Sequence, residues 1–302
     1  MSRASEQSRL WLPQFWPTWI GVGFLWLADK LPWAEKRWCA HALGWLAFHV
    51  IRIRRRVVFT NLRLCFPDKA AAEIRTLARA HYDALALGLF EVCAAWWAPK
   101  AVLPTCCVTG LEHLQAALAR GRGALLLTAH FTTLEICGRF MAEAHGMGCL
   151  YRDPNNPVIA HLMREQRERH MQVAVHFDDL RGLVRALRDN HAIWYAPDQA
   201  KRTKATEILP FFGVPAITNT ATGKIAELSG AAVVPFFARR ETNHTYSLSI
   251  LPALEDFPTA DTAADAIRIN RLIEEHVRLA PEQYFWVHKR FKARGPGYPE
   301  VY

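Results

Sequence analysis

The stretch "GALLLTAHFTTLEICGRF", residues 123 to 140, decides the fold. Residues 123–129 form an apolar run of strand length, and a helical pattern occupies residues 132–145. A short buried strand that leads directly into a helix is the repeating unit of α/β sheets. We therefore predict that His130 lies at the carboxyl end of a strand, where α/β folds place their ligands.

Glu135 follows this histidine five positions later. If the whole segment were helical, the two side chains would point about 140° apart and could not cooperate. They can meet if His130 lies on the loop and Glu135 lies in the first helical turn. An N-cap at Thr132 would also place Glu135 at the third helical position, which completes a capping box. Two interpretations therefore stay open for Glu135, a catalytic partner or a helix cap.

The chemistry available to such a pair is proton transfer. A neutral imidazole can take the proton of a hydroxyl as its oxygen attacks an ester or thioester carbonyl, while a carboxylate fixes the imidazole tautomer. The sequence contains no G-x-S-x-G motif, so direct transfer to an external hydroxyl is favoured over an acyl-enzyme. No set of ligands at metal spacing surrounds the pair, so no metal is predicted.

Strand-like and helix-like segments continue to alternate after residue 105. Further strands are predicted at 147–152, 191–197, 231–239 and 245–251, and further helices at 157–170, 179–189, 218–229 and 262–279. Residues 38–98 have helical spacing, with Asp68 as the predicted N-cap of a long helix. This pattern predicts an α/β fold, a mixed central sheet flanked by helices with a helical amino-terminal part, in one domain over residues 36–302.

Residues 1–35 form a separate segment rich in tryptophan. Residues 11–28 carry no charge, and seven of the eleven tryptophans fall within the first 45 residues. Because Pro13 and Pro17 disturb a first turn, we predict the helix at 18–31. Tryptophan favours the water–lipid boundary, so an interfacial or spanning helix is favoured over a cleaved signal peptide or a buried core helix.

The charge of the chain points to anionic partners. The formal net charge is +9, which suits nucleic acid, acidic lipid or an acidic protein. The run "IRIRRR" (51–56) follows the tryptophan-rich segment, so the main domain is predicted on the cytoplasmic side. The run itself suits either a solvated helix face or anionic headgroups. Seven cysteines without metal spacing indicate reduced thiols.

Four further stretches carry polar or aromatic side chains suited to a site: "YRDPNNP" (151–157), "WYAPDQAKR" (194–202), "PFFGVPA" (210–216) and "YFWVHKRFKARGPGYPEVY" (284–302). The first two end predicted strands. The third suits the wall of an apolar pocket or a plain turn with core aromatics. The last suits a nucleic-acid patch, a phosphate or headgroup site, or a solvated tail.

Taken in order, these blocks, with "RRRVVFTNLRLCFPD", "LFEVCAAWW" and "AVVPFF", resemble the lipid A biosynthesis acyltransferases. The resemblance runs from about residue 16 to residue 302. It implies a glycerolipid-acyltransferase-like fold and transfer of a fatty acyl chain from acyl-acyl carrier protein. The acceptor would be a hydroxyl of an acyl chain on a Kdo-lipid A precursor. It also implies the bacterial inner membrane, with the catalytic domain facing the cytoplasm, and neither a cofactor nor a nucleic-acid partner.

The resemblance also assigns roles to residues. The family's H-x4-D/E motif corresponds to His130 as general base and Glu135 as its orienting carboxylate. Substrate binding is expected of seven further residues: Arg152 and Asn156 toward phosphate or sugar, one or both of Arg164 and Arg167, and Asp198, Arg290 and Lys292. The segment "APDQAKR" stands roughly where glycerolipid acyltransferases carry a proline-glutamate-glycine phosphate motif.

Two other functions compete with this one. An acyltransferase of the same superfamily would act on a glycerolipid or aminolipid acceptor. A non-catalytic basic membrane protein would bind anionic lipid without using the His130–Glu135 pair. The leading function predicts acyl-acyl carrier protein, Kdo-lipid A precursor and inner-membrane phospholipid as partners.

Overall fold

The computed structural model describes residues 9–199, 202–295 and 297–302. Its amino-terminal part is helical, as predicted. After a 3-10 turn at Pro13–Phe15 it comprises α1 (Trp16–Ala28), α2 (Trp33–Leu46), a π-helical turn (Ala47–Ile51), α3 (Arg55–Cys65) and the long α4 (Ala71–Trp97).

Strands and helices alternate in the remainder, after a 3-10 turn at Lys100–Val102. The strands are β1 (Cys106–Thr109), β2 (Ala124–Leu127), β3 (Gly148–Tyr151), β4 (Ala174–His176), β5 (Ala192–Tyr195), β6 (Thr206–Phe211), β7 (Val214–Asn219), β8 (Ala232–Arg240) and β9 (Tyr246–Ile250). The helices are α5 (Leu111–Leu118), α6 (Leu134–His145), α7 (Pro157–His170), α8 (Leu180–Arg188), α9 (Ala221–Ser229) and α10 (Thr262–Leu279), followed by a 3-10 turn at Pro281–Gln283.

Seven strands form one sheet in the order β1-β9-β8-β2-β5-β3-β4. All neighbours in it are parallel except β8 and β9, which are antiparallel. The predicted mixed α/β sheet is therefore confirmed. Because β2 lies between β5 and β8, the loops after β2 and β5 emerge side by side at one edge.

Alternate side chains of the central strands enter two separate cores. In β2, Leu125 and Leu127 face the core that contains residues of α3, α8, α9 and α10. Ala124 and Leu126 face the core that contains residues of α5 and α6 and the end of α4. Both sides of the sheet are therefore buried, which explains why β2 is a continuous apolar run rather than an alternating one.

Several predicted boundaries need correction. Helix α4 begins at Ala71 with Ala70 as its N-cap, not at Asp68. The Glu73 carboxylate accepts the Ala70 N–H at 2.9 Å, and this hydrogen bond lowers the pKa of Glu73. Helix α1 begins at Trp16 because Pro17 lies in the first turn, where no backbone N–H is required.

The segment "PFFGVPA" is a β-hairpin rather than a loop. β6 and β7 pair in antiparallel fashion from Thr206 to Asn219 and form a second, two-stranded sheet. The two turn residues, Phe212 and Gly213, have φ angles of 52° and 72°. Two central residues at positive φ are typical of a tight two-residue hairpin turn.

The amino-terminal segment contacts α7 and α2. Leu10 packs with Val158 and Leu162, and Lys36 Nζ forms a buried ion pair with Asp29 Oδ1 at 3.0 Å. No helix within the described ranges has both the length and the apolar character needed to cross a bilayer. The division of the chain at residue 35 stays a prediction.

Candidate active site

His130 lies directly beyond β2, as its position in the sequence predicted. Its carbonyl oxygen accepts the Phe285 N–H at 3.0 Å, and the Thr132 N–H donates to the Gln283 carbonyl at 2.7 Å. Phe131 and Tyr284 form a bridge between the two segments. The histidine loop is therefore held in place by residues far along the chain.

The carboxylate that contacts the His130 ring belongs to Asp198. Nδ1 of His130 and Oδ1 of Asp198 lie 2.6 Å apart, and the His130 backbone N–H donates to Oδ2 at 3.1 Å. Asp198 follows β5, the strand that neighbours β2. Its side chain is fully buried, whereas that of His130 is 32% exposed.

Tyr284 completes the cluster. Its hydroxyl donates to Asp198 Oδ2 at 2.9 Å. Burial alone would raise the pKa of Asp198, but the His130 charge and the hydrogen bonds from His130 and Tyr284 lower it to about 2. Asp198 is therefore ionised at neutral pH.

This charge controls the histidine. Burial lowers the pKa of His130, but the Asp198 charge and hydrogen bond outweigh it, and the net pKa is raised. With Nδ1–H donated to Asp198, Nε2 keeps its lone pair. His130 is thus arranged as a base with increased proton affinity.

Glu135, the orienting carboxylate that the resemblance implied, has other partners, and Asp198 occupies that place at the His130 ring. Oε1 of Glu135 forms an ion pair with Arg167, and its Oε2 accepts Trp96 Nε1–H at 3.4 Å. The alternative interpretation of Glu135, a capping box with Thr132 as N-cap, does not hold either, because Thr133 is the N-cap of α6 and makes no side-chain cap. The competing Arg167 guanidinium explains why Glu135 turns away from the helix terminus.

His130 and Glu135 nevertheless share one cavity of about 560 Å³. Most of its wall is aliphatic and comes from α2, the π-helical turn and α4, and Thr132 and Gln199 add polar groups. Gly88 of α4 permits close packing on the histidine loop, since a Cβ there would lie 2.7 Å from the Thr132 carbonyl oxygen. A cavity with an apolar wall and few polar groups suits an acyl chain whose reactive end lies at His130.

The structure distinguishes the two candidate arginines of α7. Arg167 is buried between Glu135 and Cys149, whose Sγ lies 3.8 Å from it. Arg164 instead pairs with Asp153 at 3.1 Å and lines a separate cavity of about 920 Å³ beside residues 9–15. Arg167 is therefore the arginine that contacts the cavity of His130 through Glu135.

The other predicted substrate ligands at this edge differ from one another. Arg152 is exposed, and its guanidinium carbon lies 5.0 Å from the centre of the Phe177 ring. The guanidinium group therefore remains accessible to a ligand. Asn156 caps α7 through its Oδ1, and its Nδ2 donates to Thr18 Oγ1 at 3.0 Å. Both ends of the Asn156 amide are therefore used within the protein, and its role toward substrate stays a prediction.

Two predicted ligands come from the carboxyl-terminal segment. Arg290 is buried, donates to the Ile217 carbonyl and lies 4.8 Å from the Phe211 ring. It therefore fixes the β6–β7 hairpin, and its contact with substrate stays a prediction. Lys292 is exposed. Burial, and after it the Lys292 charge, lowers the pKa of His288 to about 4.

Tyr284 was not among the predicted site residues, and Asp198, expected to bind substrate, contacts His130. Both lie in blocks that were singled out, but the contact of Asp198 with His130 depends on strand order, and Tyr284 reaches Asp198 from a segment 86 positions further along the chain. Among the described residues, no three His, Cys, Asp or Glu side chains are arranged to hold a metal ion.

Comparisons with known proteins agree with these observations. The family model of the bacterial lipid A biosynthesis acyltransferases matches residues 3–293. The lipid A biosynthesis lauroyltransferase of Escherichia coli (strain K12) is 36% identical over 294 residues, 96% of each chain. The palmitoleoyltransferase of the same pathway and organism is 34% identical and covers 96% of this chain and 95% of its own.

A crystal structure of a 1-acyl-sn-glycerophosphate acyltransferase from Thermotoga maritima is similar with a TM-score of 0.39 and 12% identity. The match covers 82% of this chain and 97% of that one. A similarity this distant does not bear on the reaction. The family model, in contrast, matches nearly the whole chain, so this protein belongs to the bacterial lipid A biosynthesis acyltransferase family.

Proposed function

We propose that the protein transfers a fatty acyl chain from acyl-acyl carrier protein to a hydroxyl of an acyl chain on a Kdo-lipid A precursor. One observation carries this proposal. His130 is bonded to Asp198 through Nδ1 and lines an apolar cavity, so Nε2 is the ring nitrogen available to a bound hydroxyl. Family membership supplies the lipid A class of acceptor.

His130 is the general base of the proposed reaction. Its Nε2 takes the proton of the acceptor hydroxyl as the oxygen attacks the thioester carbonyl carbon. The tetrahedral intermediate then collapses, the carbon–sulfur bond breaks, and the leaving thiolate takes the proton back from His130. The products are the new ester and the free thiol of the carrier, so neither a redox step nor an acyl-enzyme is required.

Asp198 takes the orienting role that the sequence motif assigned to Glu135. It fixes the Nδ1–H tautomer and stabilises the imidazolium that forms during attack. Glu135 lines the same cavity but is a positioning residue in this proposal, since its charge is balanced by Arg167.

The apolar cavity would hold the acyl chain of one substrate. Each buried methylene contributes about 0.8 kcal/mol, so the length and blockage of the cavity would select the donor. The net charge of +9 suits both an acidic carrier protein and an anionic glycolipid.

We place the protein at the bacterial inner membrane with its catalytic domain toward the cytoplasm. Exposed Trp11, Trp16, Ile20 and Phe24 on and beside α1 support this location, because large apolar side chains at the surface favour a lipid boundary.

The test is an acyl-transfer assay with purified full-length protein. A tetraacylated Kdo-lipid A precursor with a series of donors from decanoyl- to palmitoyl-acyl carrier protein should give a product heavier by one acyl group. Absence of a mass shift with every donor would contradict the proposed function. Transfer to lysophosphatidic acid instead would favour the glycerolipid alternative.

A further inference from the structure

Three segments that contain no aspartate or glutamate meet beside the catalytic cavity. Residues 36–67, 199–206 and 283–299 are free of acidic side chains, although the chain contains 28 of them. The same three segments include the basic runs 51–56 and 288–294. Far apart in sequence, the described residues of these segments lie in one region of the structure.

Direct contacts join the segments. Arg54 donates to the Val287 carbonyl at 3.1 Å, and Asn61 Nδ2 donates to the Trp286 and His288 carbonyls at 2.7 and 2.8 Å. Arg202 lies 3.5 Å from the carbonyl oxygen of Ala293. Six of the exposed cations in these segments, Arg52, Arg54, Arg56, Arg202, Lys289 and Lys292, form what we call the basic rim.

Apolar side chains project between these cations. Val50, Ile51 and Ile53 are 60%, 58% and 55% exposed, and we call them the apolar lip. Ile51 and Ile53 also line the cavity that contains His130. The lip therefore forms part of both the cavity wall and the outer surface.

The backbone holds the lip outward. The π-helical turn ends at Ile51, and Arg52 and Arg54 then adopt left-handed conformations with φ angles of 58° and 49°. Non-glycine residues rarely adopt this conformation unless the surroundings impose it. Here the Arg52 Nε–H bond to the His49 carbonyl, at 3.2 Å, and the Arg54–Val287 bond impose it.

The combination of exposed cations and exposed aliphatic side chains indicates what this surface binds. A cationic surface alone suits an acidic protein as well as a lipid headgroup. Aliphatic side chains more than half exposed among arginines suit a bilayer, because the aliphatic groups enter the acyl region while the arginines contact headgroup phosphates. Trp45, 48% exposed on the preceding helix, adds an interfacial aromatic side chain.

We propose that the apolar lip and the basic rim rest on an anionic bilayer, so that the cavity opens directly toward the lipid. This inference rests on the proposed function in one respect, since it names the route by which a lipid acceptor reaches His130. The bilayer contact itself requires no turnover. It is separate from any contact made by the amino-terminal segment.

The first test compares two triple variants of the full chain with the same change in charge. Arg56→Gln/Lys289→Gln/Lys292→Gln removes rim cations while leaving the backbone bonds of Arg52 and Arg54 intact. Arg120→Gln/Arg181→Gln/Arg185→Gln removes three exposed cations from the turn after α5 and from α8. Binding is measured by co-sedimentation with phosphatidylcholine vesicles, with and without phosphatidylglycerol.

Each cation at an anionic surface strengthens binding by about fivefold at low salt. We expect the rim variant to bind anionic vesicles on the order of 100-fold more weakly and the control variant to change by less than about threefold. Equal losses in the two variants would overturn the proposal. So would a rim variant that binds vesicles normally but binds isolated acyl carrier protein weakly, because the rim would then be a protein-docking surface.

The second test locates the contact without substitutions. Hydrogen–deuterium exchange of the full chain with anionic vesicles should protect amides in residues 50–56 and 285–292 but not those in 181–188. Unprotected rim amides would overturn the proposal. Protection together with an inactive enzyme would instead count against the proposed reaction, so the two failures are distinguishable.

Discussion

Two carboxylates lie near the same cavity and have opposite surroundings. Asp198 is fully buried and accepts three hydrogen bonds, two from His130 and one from Tyr284. Glu135 is 18% exposed and is paired with Arg167. The first carboxylate comes from the loop after β5 and the second from the first turn of α6.

The difference shows that contact partners, not nearness in sequence, decide what a carboxylate does. The Asp198 charge acts on the histidine ring and raises the pKa of His130, whereas the Arg167 charge lowers it. Because Arg167 balances the negative charge of Glu135, that charge has little effect on the protonation of His130. Burial lowers the pKa of Arg167, but Glu135 outweighs it and the net pKa is raised.

The contrast between Asp198 and Glu135 has a role in catalysis only if His130 is the base. His130→Ala should lower turnover by about 10³–10⁴-fold, because general-base assistance and the positioned proton acceptor are both lost. Binding of the lipid acceptor should remain. His41→Ala, which removes an imidazole that is 70% exposed, is the matched control and should retain activity.

Asp198→Asn tests the first carboxylate. Turnover should fall on the order of 10²–10³-fold, because the amide neither fixes the tautomer nor stabilises the imidazolium. The wild-type rate should fall with decreasing pH through a pKa above about 6.5. Without the Asp198 charge, burial and Arg167 both lower the pKa of His130, so this acid limb should move to lower pH. A pH–rate profile checks the direction, and an unchanged limb would contradict the account.

The second carboxylate is tested by a double-mutant cycle on stability. Glu135→Gln and Arg167→Gln should each lower the free energy of unfolding by about 3 kcal/mol, because each leaves a largely buried charge unpaired. The double variant should lose about 1–2 kcal/mol less than the sum of the two. The exposed Glu165–Arg169 pair should show a coupling of about 0.3–0.5 kcal/mol in the same denaturant titrations. Additive losses at Glu135 and Arg167 would mean that the ion pair does not hold the site together.

Tyr284→Phe should have the smallest effect on turnover, about threefold to tenfold, since it removes one hydrogen bond to Asp198. The remaining carboxylate then attracts the imidazolium more strongly, so the acid limb should move to higher pH, opposite to Asp198→Asn. Tyr195→Phe also removes a buried hydroxyl, one bonded to Thr222 and Asn219, and should leave the limb unchanged. A shift to lower pH in Tyr284→Phe would contradict the arrangement.

Most of the central sheet was predictable from the sequence. The runs that became β2, β5 and β8 are long, apolar and flanked by helical patterns, so their period and length identified them. β1 and β4 were missed because they lie at the two edges of the sheet and are only partly buried, so neither carries the continuous buried run of the central strands. The β6–β7 hairpin was missed because a phenylalanine, rather than asparagine or aspartate, precedes the turn glycine.

For the site, the position of His130 was predictable from the sequence, but its contact with Asp198 was not. The position of His130 follows from local pattern alone, because the strand and the helix on either side are both evident. Its contact with Asp198 depends on β5 being the neighbour of β2, and a single sequence gives no strand order. The motif spacing therefore pointed to Glu135, whereas the fold brings in a residue 68 positions away.

A titration of His130 itself tests the central claim most directly. In isotope-labelled histidine NMR, the His130 signal is assigned among the 13 histidines by its loss in His130→Ala and followed with pH in wild type, Asp198→Asn and Glu135→Gln. The account predicts a wild-type pKa above about 6.5, a large fall in Asp198→Asn and a smaller change in Glu135→Gln. A large fall in Glu135→Gln with little change in Asp198→Asn would contradict it.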